Sequence, residues 1–472
     1  MSSSDETAAA AKVAFEQASA WLAQLEERAV LPEGGEEAAR GFGGPLPETG
    51  SGAVGALEEL AAGLDAATAS PGPRFFHFVT GGVTPAALGA DWLATALDQN
   101  VFSWVGSPLG TRLETVSLGW LKELFELPAD WGGALTTGAT TANFIALAAA
   151  RQWWGGQHGR DVGAEGLAGL PVVPVLSSGF IHPSALKALA MLGIGRATVQ
   201  TYSRDPVGRI DLDGLERGLR ELDGAPAIVV GNAGEVIAGE FDPLDALADL
   251  AEEHGAWLHV DGAFGLFARL SPRSAPLAAG VERAHSVIAD GHKWLNVPYD
   301  CGFAFVRDPA LIARVFSLAA AYLPDEEPEP TYGYLTPESS QRARSLAVWS
   351  ALRAWGRAGY REMVERHLDL AQRLAGLVDD APDFERLADV PLNIVCFRYR
   401  PEGVPEEELD GLNARLGEEV LADGRVYVGT TSFGGRVAFR PAIVNWRTRE
   451  SDIDLLVEVV RELGASLLTR TK

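Results

Sequence analysis

The chain has 472 residues, 47% hydrophobic and 22% charged, a soluble composition with ample length to bury a large core. Its net charge of −25 and pI near 4.7 argue against nucleic acid and anionic membrane surfaces as partners, since such a surface repels phosphate. Two cysteines, Cys301 and Cys396, are too few for a disulfide framework or a thiolate metal site.

From Met1 to Glu6 the chain is polar and acidic, without the basic and apolar runs of a signal peptide. No stretch approaches the length of a membrane-spanning helix. With so few cysteines, the expected location is the cytoplasm. Phe15, Ala18, Leu22, Leu25 and Ala29 share one helical face, and the helix should end before Pro32. That face packs either on its own domain or on a second subunit. Gly34 to Gly55 is rich in Gly, Pro and Glu and reads as a linker. From about residue 85, β-branched runs alternate with helical stretches. Strands are predicted at Val172–Leu176, Ala197–Thr201, Ala227–Gly231, Trp257–Asp261, Ser286–Asp290 and Gly302–Val306, with a helix over Pro243–Gly255. Such alternation predicts an α/β fold with a mostly parallel sheet. Pro324–Ser340 is polar and Pro-rich, a loop long enough for a lid. A helix carrying Leu346, Val348, Trp349, Leu352 and Trp355 then leads into a smaller C-terminal α+β region. The expected divisions are 1–84, 85–340 and 341–472.

Of the 39 basic residues only five are lysines, at positions 12, 122, 187, 293 and 472. Ligands of open α/β sheets bind outside the carboxyl ends of strands, so the residues following each strand matter most. Lys293 follows one predicted strand, between His292 and Trp294. Arginine cannot be deprotonated to form an imine, so a Schiff-base role would require lysine there. Asp261 ends another strand, where a buried carboxylate needs a cationic or hydrogen-bonding partner. A protonated pyridine nitrogen is one such partner. Thr137 to Thr140 precede a helix and suit an anion such as phosphate. His182 offers a flat ring for stacking. A phosphate, a pyridinium, an aldehyde carbon and a flat ring are together met by pyridoxal 5'-phosphate (PLP).

The runs His259-Val-Asp261-Gly-Ala263-Phe264 and Asp290-Gly-His292-Lys293-Trp294 resemble those of the group II PLP-dependent decarboxylases, the family of aromatic-L-amino-acid and glutamate decarboxylases. Phe102-Ser103-Trp104, the Thr137–Asn143 run, His182 with the residues after it, Gly239–Leu244 and Arg342–Leu346 extend the likeness over roughly residues 70 to 450. The resemblance implies a PLP-dependent fold of type I, with a large domain, a smaller C-terminal α+β domain and an N-terminal helical segment on the partner of a homodimer. It implies Lys293 as the Schiff-base lysine, Asp261 on the pyridine nitrogen and His182 stacked on the ring. Ala139, Thr140, Ala263, Asp290 and His292 would surround the cofactor, with Asp290 accepting a backbone or histidine hydrogen bond rather than touching phosphate. The family's loop tyrosine, the acid that protonates Cα, would be Tyr332 or Tyr334, with Tyr332 preferred. Phe75, Phe76, Gly81, Phe102 and Trp104 would face the substrate, favouring an aromatic L-amino acid. Glu235 departs from the family's small polar residue and is either a surface acid or a group beside the ring. Arg440 is either structural or turned to the site. Another PLP reaction, such as aminotransfer or carbon–carbon cleavage, and a non-catalytic relative remain as alternatives; the eight histidines show no metal-ligand spacing.

Overall fold

Seven strands form the main sheet of this computed structural model, which describes residues 3–317 and 328–470. They are β1 (Gly132–Thr136), β2 (Val175–Ser177), β3 (Val199–Thr201), β4 (Ile228–Asn232), β5 (Trp257–Asp261), β6 (Ser286–Asp290) and β7 (Gly302–Val306). Their order is β1-β7-β6-β5-β4-β2-β3. Strands β2 to β6 run parallel, whereas β7 is antiparallel to both its neighbours. β4 to β7 are buried along their whole length because helices cover both faces, which explains their continuous apolar runs. Parallel neighbours need crossovers, and helices Pro183–Met191, Leu212–Glu221 and Leu244–Glu253 supply them.

Three predicted strands, β5, β6 and β7, have the observed ends, while β2 to β4 shift by one to three residues. β1 was not expected: its Gly-Gly start lacks the β-branched signature of a strand. The expected linker is partly helical, at Gly35–Arg40 and from Gly52 onward. The first helix, Ser3–Ala23, ends earlier than Pro32, and the Trp21 indole donates to the Leu64 carbonyl at 3.1 Å. The N-terminal segment therefore folds back on its own chain. Of the predicted loop, 324–327 lie outside the described residues.

The C-terminal region opens with helix Ser345–Asp379, broken at Gly356, where φ is 61°. Four antiparallel strands follow: β8 (Phe384–Arg386), β9 (Phe397–Tyr399), β10 (Thr430–Phe433) and β11 (Arg436–Phe439), in the order β10-β11-β9-β8. Helices Glu406–Asp423 and Glu450–Arg470 pack with them around Phe397, Leu416, Val428 and Leu456. Phe76 joins this core, and its amide and carbonyl bond Tyr427 and Ala442. Residues 73–84 thus run from the small sheet to the main one. Among the described residues no helix is long and apolar enough to cross a membrane.

Candidate active site

The carboxyl ends of β5 and β6 and the start of helix Ala139–Gln157 enclose a cavity of about 300 Å³. β5 delivers Asp261 as its last residue. β6 ends on Asp290, and a single wide helical turn, Gly291–Leu295, then presents His292 and Lys293. Lys293 Nζ lies 3.1 Å from Asp290 Oδ2 and 5.8 Å from the centre of the Phe264 ring. The other Asp290 oxygen accepts the Ala139 amide at 2.5 Å and stands 3.6 Å from His292 Nε2. Asp290 therefore ties the lysine to the helix start, which agrees with an acceptor role and not with contact to an anion.

The helix start is a cradle. Gly138 precedes it with φ 150°, and a Cβ there would lie 3.0 Å from His292 Cε1 and 3.3 Å from Asp290 Oδ1. Only glycine leaves that space open at a helix N-terminus, where amides and dipole favour an anion. Gly81 is the second tight glycine: its amide bonds the His292 carbonyl at 3.2 Å, and a side chain would run into the Lys293 carbonyl. It buttresses the lysine turn from behind. The donor set thus fits PLP: amides for its phosphate, a carboxylate for its ring nitrogen, a lysine for its aldehyde and a ring to stack.

Burial keeps the two cavity histidines on the neutral side. His182 is pushed below the usual imidazole value by desolvation, which outweighs the pull of Asp261, and His292 likewise by desolvation against Asp290. His182 caps helix Pro183–Met191, its Nδ1 accepting the Ser184 amide at 3.2 Å. Asp261 accepts the Asn143 amide at 2.9 Å on one oxygen and the Ala263 amide at 3.2 Å on the other.

Ala139, Thr140, His182, Glu235 and Asp261 all line this cavity, as do Ala263, Asp290, His292 and Lys293. Glu235 is buried, not a surface acid. Its carboxyl accepts the amides of Ile237, at 2.6 Å, and Ala238, and desolvation pushes its pKa up. Arg440 is also buried; desolvation lowers its pKa against the pull of the Glu235 charge, and its Nη1 has no hydrogen-bond partner among the described residues.

The expected aromatic wall is not assembled at this cavity. Phe75 stacks on Tyr427 with centroids 4.7 Å apart, Phe102 meets Tyr334 edge-on, and Trp104 is half-buried elsewhere. Tyr332, expected as the loop acid, also lies away from it. Its ring is 2% exposed, and its hydroxyl is 2.9 Å from Thr115 Oγ1 beside an apolar hollow lined by Leu118 and Trp131. Burying the ring there is more favourable than leaving it on a polar loop. The aromatic residues that do line the cavity are Phe180, Phe264 and Tyr299. Tyr299 stacks on His292 at 4.2 Å, and its hydroxyl is 3.3 Å from Thr80 Oγ1. Sequence reading missed it, although its position six residues after Lys293 was a usable signal.

The profile of the pyridoxal-dependent decarboxylase conserved domain matches residues 60–400, and the chain belongs to that family. An aromatic-L-amino-acid decarboxylase of Bacillus atrophaeus is 28% identical over 400 residues, covering 83% of this chain and 81% of that protein. The acidic amino acid decarboxylase GADL1 of Mus musculus is 28% identical over 414 residues, covering 84% and 74%. Among solved structures, Oryza sativa TDC with PLP and tryptamine matches with a TM-score of 0.90 at 25% identity, over 98% of both chains. PLP is the cofactor, and the activity is decarboxylation of an amino acid.

Proposed function

We propose that the protein converts an aromatic L-amino acid to its amine and carbon dioxide, with Lys293, Asp261 and His182 as the central residues. The observation that carries this reading is their convergence on one cavity whose other walls include Phe180, Phe264 and Tyr299. The likeness to the Bacillus protein and to the rice structure supports an aromatic substrate, and the net charge of −25 disfavours an anionic side chain.

When bound, PLP supplies the aldehyde that condenses with the substrate amine and the ring that takes up the electron pair released with carbon dioxide. Lys293 Nζ would hold the aldehyde carbon, with Asp290 as its neighbouring counter-charge. Asp261 would keep a proton on the ring nitrogen. His182 would lay its neutral ring against the cofactor face. Ala139, Thr140 and Thr141 would seat the phosphate at the helix start, with His292 alongside, and Ala263 would border the ring. Within the chain's own cavity, Tyr299 would supply the phenol that gives a proton to Cα in place of the departing carboxylate and regains one from water, while Tyr332, on the turn packed against Phe102, would serve the partner's cavity with it. We further infer a cytoplasmic homodimer, supported by two free, buried cysteines and by large apolar side chains left exposed on one chain, Leu93, Val105 and Leu109 among them. Phe102 and Trp104, close in sequence to that surface, would then serve the partner's cavity.

The test is purified protein with PLP and a panel of amino acids, reading carbon dioxide and amine. Aromatic substrates should dominate, with a visible cofactor band that Lys293→Ala removes. Preference for glutamate or aspartate, or release of a keto acid, would overturn the reading.

A further inference from the structure

Behind the cavity runs a chain of buried hydrogen bonds whose direction is dictated by its two ends. The Trp257 indole nitrogen has a hydrogen and no lone pair to accept with, so it can only donate, and it reaches Ser286 Oγ at 3.0 Å. At the other end the Asp261 carboxylate only accepts, so Asn143 turns its NH₂ toward the cavity and its Oδ1 toward His259. His259 must then keep its proton on Nε2, where it donates to Asn143 Oδ1 at 2.8 Å, and its Nδ1 is left to accept. Ser286 Oγ, 2.9 Å from that Nδ1, therefore accepts from Trp257 and turns its own hydrogen to His259. One Asn143 amide hydrogen goes to Asp261 Oδ2 at 2.9 Å and the other to Ser184 Oγ at 3.2 Å. Asp261, as a carboxylate, only accepts and closes the first branch. In the second, Ser184 Oγ lies 2.7 Å from His182 Nδ1, which also receives the Ser184 backbone amide. Nδ1 is therefore an acceptor, and His182 too keeps its proton on Nε2.

Asn143, His259 and Ser286 are fully buried and Trp257 nearly so. Burial holds His259 down to about 4, so the relay stays uncharged at neutral pH. None of Trp257, Ser286, His259 or Asn143 lines the cavity.

We propose that Asn143 is a positioning residue, the node through which the Trp257–Ser286–His259 relay fixes the Asp261 carboxylate and the His182 tautomer together. The inference rests on the reading of Lys293, Asp261 and His182 as the cofactor site. It gives that site a feature that pairwise contacts do not: two groups addressing different parts of the cofactor would be set by one amide, and that amide is set from deeper along the same face of β5, beneath helix Ala139–Gln157.

The first experiment needs no substitution. In the PLP-loaded protein labelled with ¹⁵N-histidine, His259 and His182 should both be neutral and protonated on Nε2 near pH 7. A proton on Nδ1 of either overturns the proposal, and this measurement decides even where a variant fails to fold. The second uses Ser286→Ala, which breaks the relay without touching the cavity. The midpoint of the cofactor band's pH titration should move by about half a unit or more, and kcat should fall roughly ten-fold with KM within about two-fold. Trp257→Phe should act in the same direction and more weakly. A band that depends on Lys293 but ignores Ser286→Ala overturns this inference alone. A wild-type band that is absent, or that survives Lys293→Ala, overturns the site reading beneath it.

Discussion

Glu114, Thr115 and Tyr332, at the seam between helix Pro108–Phe125 and β1, match Asp261, Ser184 and Tyr299 at the cavity almost type for type: an acid, a hydroxyl and a phenol. At the seam the groups are used up on one another and on the backbone. Tyr332 meets Thr115, and Glu114 accepts the Leu135 amide at 2.9 Å while desolvation pushes its carboxyl up to about 8. Burial pushes the Tyr332 phenol up as well, with Glu114 adding to it. At the cavity the hydrogen bonds arrive from behind. Asp261 takes two N–H donors, Ser184 and His182 take theirs from the same side, and the remaining lone pairs and ring faces border open space. A displaced pKa therefore does not by itself mark the working acid in this protein. What marks it is support on one side and a cavity on the other.

The strongest way to break this contrast is to remove the groups that face the cavity. Lys293→Ala should abolish both the visible cofactor band and amine release, checked by absorbance and by carbon dioxide evolution. Asp261→Asn should lower kcat on the order of 10²–10³-fold, the size seen when one preorganised charge partner is lost. Cofactor affinity, read by fluorescence titration, should fall much less, because Asn still fills the space and the phosphate seat is untouched.

The two phenols give a sharper comparison. Tyr299→Phe keeps the stack on His292 and loses only the hydroxyl, so about a 10²-fold loss in amine formation is expected if that hydroxyl delivers the proton to Cα. Tyr332→Phe should change the rate by less than about three-fold if Tyr299 delivers the proton, since it removes one hydrogen bond to Thr115 outside the chain's own cavity; its cost should be about 1 kcal/mol of stability. Equal rate losses in the two variants would erase the distinction drawn here.

Sequence alone went far toward the site because its charged members stand at the ends of regular elements. Asp261 and Lys293 terminate or follow apolar runs long enough to be read as strands, and the small-residue run at 137–141 opens a clear helical pattern. The fold class followed from the same alternation. What could not be read is whatever joins distant segments. The His259–Asn143 contact spans 116 positions and exists only because helix Ala139–Gln157 lies against β5. Tyr332 sits in a polar, Pro-rich stretch, and nothing local shows that its ring turns into a hollow beneath β1. β1 itself was hidden by its glycines, since strand propensity comes from side chains that glycine lacks.

Glu114 should have the smallest effect on activity, acting on stability alone, and the sign of that effect can be worked out. Its carboxyl ordinarily titrates near 4.5 and is raised to about 8 in the folded chain, chiefly by desolvation, against the Leu135 amide and the Arg344 charge. Between these values the folded state keeps a proton that the unfolded state has released, so stability falls as pH rises through that window and levels off above it. Glu114→Gln keeps an oxygen for the Leu135 amide and has no proton to lose. Wild type and variant should melt together near pH 4, and the variant should gain a few kcal/mol, or a few °C, by pH 9. Activity near neutral pH should not change. If the variant also lost cofactor affinity, the seam would have to be coupled to the cavity, and the separation of the two regions would fail.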